Sequence, residues 1–155
     1  MISQRRLARE RVLQALYAFD LSQTSPDFLS SDIFKDIEND AALEFAKKLF
    51  RDTLDNMKSI DSILQRHLEH WDISRVNPLD RCLLRMGIAE ILFSQEIPTK
   101  VTINEIIEMA KRYSTEESPK FVNGILDAAS KQLSNESKIQ KTGRGLINTS
   151  IKKKP

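Results

Sequence analysis

The chain has a single cysteine, Cys82. One thiol makes no disulfide within the chain, and no second Cys or neighbouring His accompanies it for a zinc site, so the sequence predicts a small buried hydrophobe in a reducing cytosol. Glycine is scarce, four in all, two of them (Gly143 and Gly145) near the C-terminal end. That leaves no Gly-rich loop to cradle a phosphate, and neither a His-Glu-x-x-His pattern nor a nucleophile elbow is present. No apolar run reaches the roughly 18 residues of a membrane span, and no apolar h-region follows the N-terminal bases, so neither a membrane partner nor a signal peptide is expected. His67 and His70 stand three apart without a third ligand, which predicts no metal site. With no cofactor pattern either, the expectation is a cytoplasmic binding module rather than an enzyme.

What is present is helix-forming and unevenly charged. Leu, Ile, Ala, Glu, Lys and Arg dominate the 155 residues, as in helices packed on helices, and predict an all-α domain. The net charge of +2 divides into +3 over residues 1–11, −7 over residues 12–130 and +6 over residues 131–155. An acidic body with two basic ends points to a polyanionic partner.

Periodicity gives a helix from about Arg5 to Leu21, a weaker one near 28–37, a clear one over 41–57 and another from Ile60 to Trp71, with Trp71 packed. Asn77 followed by Pro78 predicts an N-cap and first position for a helix carrying Leu79, Leu83, Met86, Ala89 and Phe93 inward. Glu90 falls in that stripe and requires a partner. Thr102 with Glu105 reads as a capping box for the next helix. Ser118 as cap and Pro119 at the first position open a last helix whose Gly124 predicts a close helix crossing. Residues 136–155 lack sustained apolar periodicity and are expected as a basic, disordered tail behind a 1–135 helical domain.

Arg5, Arg6, Arg9 and Arg11 form the most informative cluster. Guanidinium grips phosphate bidentately and stacks on bases, so a short Arg-rich helix suits RNA; a merely solvated basic N-terminus is the competing reading. On a helical wheel Arg5 and Arg9 point toward the core side, where unpaired charge is costly. The first two turns are therefore expected either to project beyond the body or to stay unwound until a partner neutralises them.

Three stretches, "RRLARERVLQALYAFDLSQ", "DRCLLRMGIAEILFSQEIPTKVTINEIIEMAKRY" and "SPKFVNGILDAAS", resemble the NusB family of bacterial transcription antitermination factors. The resemblance implies about seven helices in two packed bundles. It also implies binding to boxA-type leader RNA of ribosomal RNA operons, together with the ribosomal protein NusE, as an adaptor for the RNA polymerase antitermination complex. Some relatives self-associate, so a homodimer is a further expectation. A NusB-like domain also precedes the catalytic part of an rRNA cytosine methyltransferase, a reading that needs a following methyl-donor domain.

Carried onto this sequence, the family's RNA surface falls on Arg5, Arg6 and Arg9, with Arg11 as an extra base and Leu7 where an arginine is usual. "EESPKFVNG" adds Glu117, Lys120 and Phe121, with Pro119 replacing a histidine. Phe121 as contact and Phe121 as core both stay open. Asn123 has two readings, a base edge or a neighbouring backbone, and Tyr17 is a candidate for stacking that also suits the core rim. For the protein partner the resemblance points to Asp80 and then Glu90, each with an intramolecular salt bridge as the competing explanation.

Overall fold

A computed structural model describes residues 3–147, and side-chain caps fix where several of its helices begin. Ser3 Oγ accepts the Arg6 amide and opens α1 (Gln4–Ser22). After α2 (Pro26–Ile33), Asn39 Oδ1 accepts the Ala42 amide and opens α3 (Asp40–Asp55), which α4 (Met57–Gln65) follows across a break at Asn56. Asn77 Oδ1 accepts the Leu79 amide and opens α5 (Pro78–Phe93), with Pro78 where its missing N–H costs nothing. Helices α6 (Thr99–Tyr113) and α7 (Ser118–Asn135) complete seven, and no strand occurs among the described residues.

Every residue from Cys82 to Ile91 is buried, so α5 is enclosed all round. It packs against α1 and α3 of one bundle and against α4, α6 and α7 of the other. The expected all-α, two-bundle architecture is what the chain adopts. Its polar residues are paired: Arg85 makes two hydrogen bonds of 2.8 Å to Asp61. Arg81 reaches Asp20 near the end of α1 at 2.6 Å, while Arg9 near its start meets Glu90 late in α5. These two pairs lock α1 antiparallel to α5.

Several local expectations give way to tertiary contacts. The helix expected to reach Trp71 ends at Gln65, whose side-chain amide donates to Trp71 O and accepts from the Ile73 amide, tying down the loop. Trp71 is left 56% exposed instead of packed. His67 has a buried Nε2 with no partner among the described residues. The capping box does not form: α6 starts earlier, at Thr99, and Thr102 lies fully buried inside the helix with its hydroxyl donating to Glu90. Gly124 makes no close crossing, since a Cβ placed there meets nothing within 4 Å. The close crossing is at Gly87 of α5, where a Cβ would stand 3.1 Å from Leu126 of α7.

The tail is likewise corrected over residues 138–147. Ile139 packs against the core, the Thr142 amide donates to Gln95 O at 3.0 Å, and Gly145 is buried. Three lysines of the expected basic tail, 152–154, lie outside the described residues.

Candidate nucleic-acid interface

The first two turns of α1 neither project nor unwind, because carboxylates from distant elements meet their arginines. Arg9 is 3% exposed and Glu90 0%. Arg9 Nε and Nη2 donate to the two Glu90 oxygens at 2.9 and 2.7 Å, and Thr102 Oγ1 adds a third bond at 2.6 Å. A pair this enclosed and this fully hydrogen-bonded satisfies both charges internally. The expectation that Arg9 contacts RNA, and that Glu90 contacts a protein partner, is therefore corrected: Glu90 is sealed from the surface, and Arg9, 3% exposed, borders it with its charge already neutralised.

Arg6 sits one turn earlier and closer to solvent. It makes two bonds, 3.0 and 2.9 Å, to Glu105 of α6 and stays partly exposed. Those bonds hold the Glu105 carboxyl below the usual carboxylate range. Arg5 has no carboxylate within 4.0 Å among the described residues; its guanidinium lies 4.4 Å from the ring centroid of Phe45, over the same ring that Arg9 approaches at 5.1 Å. Such stacking holds a cation in place and leaves its donors free. Arg11 is paired with Asp36 at 2.7 and 3.0 Å on the exposed side of α1, and its hydrogen bonds lower the Asp36 pKa.

Three hollows follow these residues across the surface. The first, about 830 Å³, is lined by Arg5, Arg6, Arg9, Glu96, Glu105 and Arg144 among others. The second, about 340 Å³, includes Glu10, Arg11, Tyr17, Leu79 and Tyr113. The third, about 250 Å³, holds Trp71, Arg75, Asp80, Glu117, Ser118 and Phe121. Arg9 and Glu10 are chain neighbours lining the first and second, as are Leu79 and Asp80 for the second and third. The three hollows thus border α1, the start of α5 and the start of α7.

Asp80 is buried at the third hollow, and its carboxylate is already engaged. It accepts the Ser114 and Ser118 hydroxyls at 2.7 and 2.9 Å, fastening α5 to the end of α6 and the start of α7. Ser118 is consequently turned inward and does not cap its helix, which Glu117 precedes without a side-chain bond. On α7, Phe121 is half-buried, packing on the core and lining the third hollow. Lys120 and Asn123 are exposed, and Asn123 bonds no neighbouring backbone. Tyr17 is half-buried at the core rim.

Four participants escaped the sequence reading. Glu105 was taken as a cap, and Tyr113, Trp71 and Arg75 carry no local pattern that marks them as surface.

Against known proteins, residues 6–131 match the NusB family. The transcription antitermination protein NusB of Salinibacter ruber is 43% identical over 150 residues, covering 94% of this chain and 92% of that protein. The structure of Thermotoga maritima NusB superposes with a TM-score of 0.82 at 37% identity, covering 89% of this chain and 98% of that one. A chain in the crystal structure of antitermination factors NusB and NusE in complex with dsRNA gives 0.77 at 34% identity, covering 85% of this chain and 99% of that one. The helical order, the three aligned blocks and these likenesses agree, and the chain belongs to the NusB family.

Proposed function

We propose that the protein is a cytoplasmic transcription antitermination factor that holds boxA-type leader RNA along the three hollows. A NusE-type ribosomal protein binds beside the RNA, and the assembly is presented to elongating RNA polymerase. The observation that carries this reading is the contrast within α1: Arg9 is buried and already neutralised, while Arg5 and Arg6 keep donors toward a concave surface. Guanidiniums anchored by an aromatic ring and by a carboxylate are pre-oriented for phosphate. The third hollow, flanked by Trp71 and Phe121, suits an unstacked base, for which an aromatic face is worth about 1–3 kcal/mol. Lys120 and Asn123 then lie on the neighbouring surface of α7.

The test is fluorescence anisotropy with a labelled single-stranded boxA-like RNA at several salt concentrations, comparing wild type with R5A/R6A. Each phosphate neutralised on a single strand contributes about 0.7 to the log–log salt slope. The double variant is expected to flatten the slope by about 1.4 on that basis. Identical slopes would remove these arginines from the interface. Adding the purified ribosomal protein is expected to tighten binding through the extra contact surface.

A further inference from the structure

The chain does not leave the body after α7. Lys141 Nζ donates to Ser94 O at 3.0 Å, and burial lowers its pKa. The Thr142 amide donates to Gln95 O at 3.0 Å, so two consecutive residues are pinned to the loop between α5 and α6. Gly143 then takes a φ of +52°, a left-handed conformation that disfavours other residues, and a 3₁₀ turn spans Gly143–Leu146. Gly145 is pressed so closely on the loop that a Cβ there would stand 1.9 Å from Gln95 O. Two glycines in three positions therefore serve one geometry.

That geometry fixes the backbone of Arg144, the residue between them. Arg144 is exposed and lines the 830 Å³ cleft that also contains Arg5, Arg6 and Arg9. Of the four, Arg9 is neutralised by Glu90 and Arg6 is held by Glu105. Arg5 and Arg144 have no carboxylate within 4.0 Å among the described residues. Glu96 also lines the cleft, yet pairs with neither. The result is a concave surface with two unpaired guanidiniums from distant parts of the chain, Arg5 held over Phe45 and Arg144 carried on a docked backbone, which reduces the ordering left to be done on binding.

We infer that residues 138–147 are a built wall of the nucleic-acid site, and that Arg144 grips a backbone phosphate of the RNA strand in the cleft. This rests on the RNA-binding reading above. The segment lies beyond residues 6–131, the part of the chain matched to the family.

Three variants of the full chain test it by the same anisotropy titration: R144A, R144K and G145A. R144A is expected to weaken RNA binding roughly fivefold at low salt and to reduce the salt slope by about 0.7, with its melting temperature unchanged. R144K keeps the charge and the slope but loses part of the affinity with the bidentate grip. G145A retains Arg144 but displaces the segment, and is expected to match the R144A loss. If R144A binds with wild-type affinity and slope, the inference is overturned, whatever G145A does to folding. Tighter binding by G145A also overturns it, because the segment would then shield the cleft. A flattened slope in R5A/R6A beside an unaltered R144A overturns this inference alone, whereas a wild type that binds no RNA defeats the parent reading and this one together.

Discussion

Arg9 and Glu90 stand 81 positions apart in the chain and meet inside it through two parallel hydrogen bonds, with Thr102 completing the carboxylate. Removing one partner leaves an uncompensated buried charge, at a cost of about 3–5 kcal/mol. R9A is therefore expected to lower the melting temperature by about 6–20 °C, at roughly 2–4 °C per kcal/mol for a protein this size. An R9M/E90L double variant, which removes both charges, is expected to recover much of the loss. Thermal or urea unfolding checks both, and an R9A protein as stable as wild type would show that the pair does not hold α1 to α5.

Acid should loosen the surface of the same helix. Glu105 and Asp36 are depressed below their ordinary values of 4.5 and 3.8 by hydrogen bonds from Arg6 and Arg11. A carboxylate whose native pKa is lowered stabilises the fold fully above its unfolded value, and that stabilisation is lost as pH falls through the native one. Stability is expected to hold from neutral pH down to about 4.5 and to decline below it, less steeply in an E105Q/D36N variant. Unfolding midpoints measured across that range give the comparison; parallel wild-type and variant curves would contradict it.

Much of this arrangement was legible in fragments. The wheel placed Arg5 and Arg9 on the core side, and the stripe of α5 placed Glu90 there too; each was marked as a charge in need of a partner. What the sequence could not supply was the match between them, because the 81 positions that separate them carry no signal of which end of α5 returns to α1. The resemblance brought the helix order and the bundle architecture, and Asn77–Pro78 located a helix start by local chemistry alone. Local chemistry misled where a tertiary partner outbid it. Thr102 and Glu105 have the spacing of a capping box but turn to Glu90 and Arg6. The tail lacked apolar periodicity because its docking uses one isoleucine, a lysine ammonium, one backbone amide and a glycine, which leave no repeating hydrophobic pattern.

Gly124 offers a clean test of an unoccupied position. It lies inside α7 with ordinary backbone conformation and open space around it. Alanine there avoids the entropic cost of glycine, so G124A is expected to raise stability by about 0.5–1 kcal/mol. An unchanged or lowered midpoint in thermal unfolding would show that the surface is not open.

Cys82 should be chemically silent in the native protein. Its side chain is buried in α5, and burial pushes the thiol up to about 12, so almost no thiolate exists at neutral pH. Reaction with a disulfide reagent is expected only through unfolding, at a rate that rises with denaturant. Stoichiometric labelling of the folded protein within seconds would contradict the burial.

Trp71 is the chain's one tryptophan, so its emission reports on a single place. It is exposed at the rim of the hollow that Phe121 and Arg75 also line, where a stacked base would lie against the indole. Titration with boxA-like RNA is expected to quench its fluorescence along the same isotherm that anisotropy follows. Because stacking releases no condensed counterions, W71A should weaken binding several-fold while leaving the salt slope intact, the opposite of what the arginine variants do. RNA that binds with full anisotropy change yet leaves Trp71 emission and W71A affinity untouched would take the base out of this hollow and confine recognition to the arginine-lined hollows.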